Sequence, residues 1–324
     1  MQHIAEIRSF AESPLPDHPL RGGALNMTAV ISIATRSALW VVADRRLTIP
    51  KTGQIVVDNA VKVIRIYTND GEMLLSYKGL GRVLDRQISL WVYRTLRGIT
   101  NLSLVESLDY IARRAKMRFK PFLKYLHGDP HIFMAAASVG RKFSNIEADI
   151  TKEPPQLIFH MTRRSTEPNL KIIGVRRDYI SDEIQDQMLA LYPYIQKYER
   201  GKIGARFFAS KLAKIMVKVS EHHRNNNDNR ISPESLVVMH RLKTSKKYKN
   251  IAAENVPPYW CFDANGNYVP ENIIVPCIVN GIPASDLALN GLRAFQKRGI
   301  EGRINLLEFI APVPNTPDDD LPDR

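Results

Sequence analysis

The strongest constraint in this chain is a succession of four short apolar segments between Met27 and Gly79, each tied to a residue of distinct chemistry. The first opens on Thr28 and continues through Val30, Ile31 and Ile33. The second runs through Leu39, Trp40, Val41 and Val42 to Asp44, and the third sets Val61, Val63, Ile64 and Ile66 around Lys62. The fourth carries Leu74 and Leu75 into Tyr77, Lys78 and Gly79. β-Branched, apolar runs of this length predict strands. Adjacent antiparallel strands over residues 28–80 would bring Thr28, Asp44 and Lys62 together, with the Lys62 ammonium in hydrogen-bond reach of a side-chain oxygen of Asp44 or Thr28.

The residue types suit one chemistry. A threonine exposed at the N-terminus by removal of Met27 has a hydroxyl nucleophile and its own α-amine as base. A nearby lysine lowers the proton affinity of that hydroxyl, and an aspartate holds the lysine charged and in place. A glycine in a tight turn exposes a backbone N–H that can stabilise an oxyanion.

This ordered set resembles the β-type subunits of the proteasome and the peptidase subunit of its simpler bacterial counterpart, members of the N-terminal-nucleophile hydrolases. The resemblance spans residues 28–242. It implies Thr28 as nucleophile, with Asp44, 16 residues on, as acidic partner and Lys62 as catalytic lysine. It implies Gly79 as the oxyanion glycine opening the first long helix, and Thr48 as a threonine whose backbone lines the substrate channel. Tyr77 and Lys78 fall at the specificity-pocket wall, where Lys78 either favours acidic substrate side chains or points to solvent. A supporting pair is matched by Asp228 and Ser232, although Asp228 also reads as a turn residue of a polar loop. The family's small Gly/Ser cluster is replaced by Ile173, Gly174, Val175, Arg176 and Arg177. The implied fold is α+β, a four-layer αββα sandwich of antiparallel sheets.

Farther along, apolar spacing predicts a helix over residues 80–96. Ser103 and Glu106 form a capping box for a second helix, with a stripe of Leu104, Leu108, Ile111, Ala115 and Phe119 interrupted at Pro121. Strands are expected at residues 131–138, 156–161 and 171–173, helices at 182–192 and 203–222, and a strand at 235–242. Residues 243–324 read as an extension: a basic linker, a turn at Asp263 to Gly266 between short strands, a strand at 273–279, a helix at 284–297 and an acidic tail.

Residues 1–27 hold Pro14, Pro16 and Pro19 and lack a signal-peptide core. They read as a propeptide, as sequence upstream of a start at Met27 (the favoured reading), or as a retained segment that leaves the chain inactive. No apolar run reaches membrane-spanning length. The free cysteines Cys261 and Cys277 show no zinc pattern and point to the cytoplasm. The net charge of +13 gathers in clusters with no nucleic-acid motif beside them, which read as solvated faces or contacts to acidic partners.

The expectation is a threonine peptidase acting on peptide or protein substrates in homo-oligomeric rings, with no cofactor or metal, no membrane, and an unidentified unfoldase partner. The alternatives are hydrolysis of a small amide, and an inactive ring subunit or scaffold.

Overall fold

A computed structural model describes residues 25–26, 29–35, 37–48, 54–83, 86–126, 130–139, 142–160, 169–173, 182–242 and 259–286. Its first half begins with β1 (Leu25–Asn26), β2 (Val30–Ala34), β3 (Ala38–Asp44), β4 (Leu47–Thr48) and β5 (Ile55–Val57). Next come β6 (Val63–Tyr67), β7 (Gly71–Lys78), β8 (Leu80–Val83) and β9 (Arg86–Gln87), then helices α1 (Ile88–Leu96) and α2 (Leu104–Leu123). The second half holds β10 (Ile132–Val139), β11 (Lys142–Asp149), β12 (Gln156–His160), β13 (Asn169–Ile173), α3 (Asp182–Leu189), α4 (Tyr192–Glu199) and α5 (Ala205–Asn225). It closes with β14 (Ser235–Arg241), β15 (Tyr259–Phe262), β16 (Tyr268–Val269), β17 (Cys277–Val279) and β18 (Ile282–Pro283).

The protein is a mixed α+β fold with three sheets among the described residues. One has the order β12-β11-β10-β7-β6-β17-β18, a second β13-β2-β3-β14-β15-β16, and a small third β5-β4-β1-β8-β9. The two large sheets face each other through Val41, Val63, Leu74, Met134, Leu236 and Val238. On the far side of the seven-stranded sheet, α1 and α2 bury Val92, Leu108 and Phe119 against Ile64, Leu75 and Phe133. On the far side of the six-stranded sheet, α5 sets Phe208 and Leu212 against Trp40, Val42 and Val237. Trp40 meets Tyr198 and Phe208 edge-on, at centroid distances of 5.1 and 4.9 Å. Such pairs add about 0.5–1.5 kcal/mol each beyond the area they bury.

The strands starting at Val30, Ala38 and Val63 form where their apolar runs predict, but they do not make one sheet. β2 and β3 pair in the six-stranded sheet, whereas β6 and β7 pair in the seven-stranded one. The helix expected over residues 80–96 begins only at Ile88. Leu80–Val83 instead pairs with β1 and β9, because a four-residue segment with strand partners on both sides satisfies more backbone groups extended than helical. Gly79 therefore precedes a strand, not the first helix.

The capping box at Ser103 is present: its hydroxyl accepts the Glu106 N–H at 3.2 Å, and Glu106 accepts the Ser103 N–H at 2.7 Å. Pro121 does not stop α2, which continues to Leu123 before a single 3-10 turn at Lys124–Leu126. β11 has no signal in the sequence pattern, because buried Asn145, Glu147 and Asp149 break its apolar character. Residues 259–283 are woven into both large sheets: β15 extends the six-stranded sheet beside β14, and β17 runs parallel to β6. The expected strand at 273–279 is confined to Cys277–Val279, and the helix at 284–297 lies mostly outside the described residues. No described helix is long and apolar enough to cross a membrane.

Candidate active site

Asp44 ends β3 in one large sheet, and Lys62 immediately precedes β6 in the other. Both side chains are wholly buried, and Lys62 Nζ lies 3.1 Å from each Asp44 carboxylate oxygen. Nζ also donates to the Arg46 carbonyl at 2.5 Å. The Asp44 carboxylate is further saturated by backbone donors: Ala29 N–H at 2.9 Å, Arg46 N–H at 3.1 Å and Ser232 N–H at 3.4 Å. A buried charge persists only when its lone pairs are met in this way. Burial lowers the Lys62 pKa from its ordinary value, with the Asp44 charge opposing it. Burial likewise raises the Asp44 carboxyl, against the pull of Lys62 and of the Arg46 and Ala29 amides. A lysine in this state gives up a proton more readily than one in water while remaining fixed in position.

Thr28 lies outside the described residues, as does the segment 174–177 that stands in for the Gly/Ser cluster. The next residue along from Thr28, Ala29, is anchored on Asp44. Thr48 is buried in β4, with its backbone opposite Asn26 of β1. β1 is held on its other side by β8, where Asn26 faces Leu80. The two residues shortly before Thr28 thus occupy a strand position between β4 and β8.

Gly79 adopts φ +104°, a conformation that favours glycine. A Cβ there would fall 2.9 Å from His131 Nδ1 and 3.0 Å from His131 Cα. The sequence pattern marks His131 only as the start of a strand, yet it organises this turn. Its Nδ1 accepts the Leu80 N–H at 3.0 Å, which places the ring proton on Nε2 in the neutral imidazole. Burial among Tyr77, Phe119 and Phe133 pushes its pKa down to about 3.

Tyr77 is 1% exposed and belongs to the core beneath α1 and α2, its ring stacked on His131 at 6.3 Å. Lys78 is 6% exposed, so its solvent-pointing alternative does not hold. Ser232 reaches Asp44 through its backbone N–H, while its hydroxyl accepts the Glu234 N–H at 3.2 Å. Asp228 does not join the pair. It forms two 2.7 Å bonds with the Arg230 guanidinium and a 3.4 Å contact with His223. Burial works against its charge, but His223 and Arg230 outweigh it and hold the carboxyl well below the usual range.

Arg46 is the contributor that residue-by-residue matching misses. Its N–H serves Asp44, its carbonyl serves Lys62, and its guanidinium joins Asp58 at 2.6 Å and the Asn229 carbonyl at 2.8 Å. Beside it, buried Arg45 forms a bidentate ion pair with Glu271 and donates to the Asn59 carbonyl at 3.2 Å. The run of charges directly after Asp44 is the signal, since two arginines following a buried strand need partners close by.

No family model matches the chain, and no curated protein matches it. Three solved structures of similar shape are Anbu proteins. A Gly-1 mutant of Anbu from Hyphomicrobium sp. strain MC1 is 11% identical at a TM-score of 0.41, covering 86% of this chain and 100% of its own. Anbu from Yersinia bercovieri, described as an ancestral β-subunit, is 10% identical at 0.43, covering 66% and 81%. A further Hyphomicrobium Anbu structure is 10% identical at 0.39, covering 85% and 100%. The resemblance to proteasome β-type subunits and to the bacterial peptidase subunit is corrected accordingly: these neighbours are Anbu proteins, and the similarity to them is distant.

Proposed function

We propose that this chain is an N-terminal threonine hydrolase that cleaves peptide bonds once residues 1–27 are absent. The observation that carries the reading is the buried Lys62 ammonium held on Asp44, whose carboxylate also anchors Ala29, the residue after Thr28. In this reading Thr28 Oγ attacks the scissile carbonyl and the freed α-amine takes its proton. Lys62 lowers the proton affinity of Oγ, and Asp44 keeps Lys62 in place. The Gly79 N–H holds the oxyanion. Collapse of the tetrahedral intermediate passes the proton to the departing amine, and water then hydrolyses the ester left on Thr28. No metal or organic cofactor enters these steps.

A peptide is favoured over a small amide by the strand position that β1 fills. With residues 1–27 gone, β4 and β8 would offer main-chain hydrogen bonds on both sides of an extended chain. The reading includes a four-layer αββα sandwich, supported by the three stacked apolar interfaces. It also includes homo-oligomeric rings, with half-exposed Phe207 and Leu189 as apolar contact points. The same occupied position supports a second reading: if residues 1–27 are retained, the chain is an inactive subunit or scaffold.

The test is hydrolysis of a broad peptide library by protein beginning at Thr28, compared with Thr28→Ala and Thr28→Ser. The proposal expects turnover that Thr28→Ala abolishes and Thr28→Ser partly keeps. Turnover in Thr28→Ala equal to the parent would remove it.

A further inference from the structure

We propose that the acidic C-terminal segment around Asp318–Asp320 docks on the outer face of α2 in the same chain. The charge of this protein is unevenly placed. Residues 88–126, which span α1 and α2, carry eight Lys and Arg against two Asp and Glu, which leaves +6 of the chain's +13 in this layer. The inward face of α2 is complete without these cations, since Leu104, Leu108, Ile111, Ala112, Ala115 and Phe119 are all wholly buried.

The outward face repels itself. Lys116 with Lys120, Lys120 with Lys124, and Arg114 with Arg118 are like charges at i,i+4 spacing, which weaken a helix. Asp109 pairs with Arg113 at 2.8 Å and Glu153 with Lys116 at 3.1 Å. Arg118, Lys120 and Lys124 are exposed and have no carboxylate partner among the described residues. Met117 stands among them at 63% exposure, an apolar centre inside a cationic stripe.

The chain itself delivers the matching charge to this layer. Asp286, the last described residue, pairs with Arg97 just past the end of α1 at 3.3 Å. The remaining sequence includes residues 305–324, which hold five acids and one base together with Leu306, Leu307, Phe309 and Ile310. The 32 positions from Asp286 to Asp318 can reach at most roughly 105–115 Å, well beyond the roughly 30 Å length of α2. Carboxylates of that segment can therefore meet Lys120 and Lys124, with an apolar side chain against Met117.

Two other occupants fit less well. A second copy of this face carries the same sign. For nucleic acid, the aromatic rings described on this layer offer little to stack on, because Tyr110, Phe122 and Tyr125 are partly buried against the core.

Zero-length carbodiimide cross-linking of the full chain, followed by peptide mapping on a mixture of isotopically light and heavy protein, tests the proposal. Expected are links from Asp318–Asp320 to Lys120 or Lys124 within one chain. They should fade near 1 M salt, where the screening length falls to about 3 Å. They should also vanish when Asp318→Asn, Asp319→Asn and Asp320→Asn are combined. The Lys116–Glu153 pair supplies an internal control. If the control link forms while the tail links only to the basic run at Lys243–Lys249, only to another chain, or to nothing, the proposal is overturned.

Discussion

Lys62 and Asp44 meet at 3.1 Å although Asp44 ends a strand of one large sheet and Lys62 directly precedes a strand of the other. The ion pair is therefore a clasp between the two sheets as well as a candidate catalytic element. Removing one partner leaves the other charge buried alone, at a cost of about 3–5 kcal/mol. Asp44→Ala should be the worse substitution, because it also strands the Ala29, Arg46 and Ser232 amides. Lys62→Met should lower thermal stability less, and combining it with Asp44→Asn should recover part of the loss. Thermal midpoints of the three variants check this ordering; equal midpoints for Asp44→Ala and wild type would show that the clasp contributes nothing.

Gly79→Ala should destabilise the fold by roughly 1–3 kcal/mol. The new Cβ must adopt φ +104° and press on His131 ring and backbone atoms at once. His131→Ala in the same chain should restore little, because the clash with the main chain at position 131 persists whatever side chain it carries. Urea midpoints of the single and double variants decide it, and a full rescue would show that the ring alone sets the limit.

His131 gives the fold an acid sensitivity with a defined sign. Its pKa is about 3 when folded, against an ordinary 6.5, so the unfolded chain binds the proton more readily. The stabilisation is complete above pH 6.5 and is lost as pH falls toward 3, with an upper bound on the order of 4–5 kcal/mol. His131→Gln keeps an acceptor for the Leu80 N–H and lacks the titration. The difference in stability between wild type and this variant should shrink steadily between pH 6.5 and 4. A constant difference across that range would contradict the assignment.

Deleting residues 259–324 should prevent folding rather than trim an appendage. The cut removes β15 and β17 from the two large sheets and leaves the buried Arg45 guanidinium without Glu271. Loss of near-ultraviolet circular dichroism in the truncated chain is the expected outcome; a cooperative thermal transition like that of the full chain would refute it.

The hairpin strands and the residues at their ends were legible because β-branched apolar runs and strand-terminal polar residues are local signals. Asp44 and Lys62 met for that reason. Their placement in separate sheets was not legible, since pairing between distant strands leaves no local pattern. The strand at Leu80–Val83 reads as helix because its apolar residues also fit a helical stripe running into α1. Asp228 and Ser232 look equivalent in sequence, and only the path of the chain sends one to Arg230 and His223 and the other to Asp44. The role of residues 259–283 escapes a local reading because short strands such as Cys277–Val279 complete sheets built elsewhere.

If Thr28 is a nucleophile at a free N-terminus, mass spectrometry after treatment with a hydroxyl-directed electrophile will detect it there. The natively produced protein should have a mass lacking residues 1–27. The adduct should map to Thr28, and both Thr28→Ala and Lys62→Met should abolish it. Protein that retains residues 1–27, or that is labelled equally in the Thr28→Ala variant, would contradict the account.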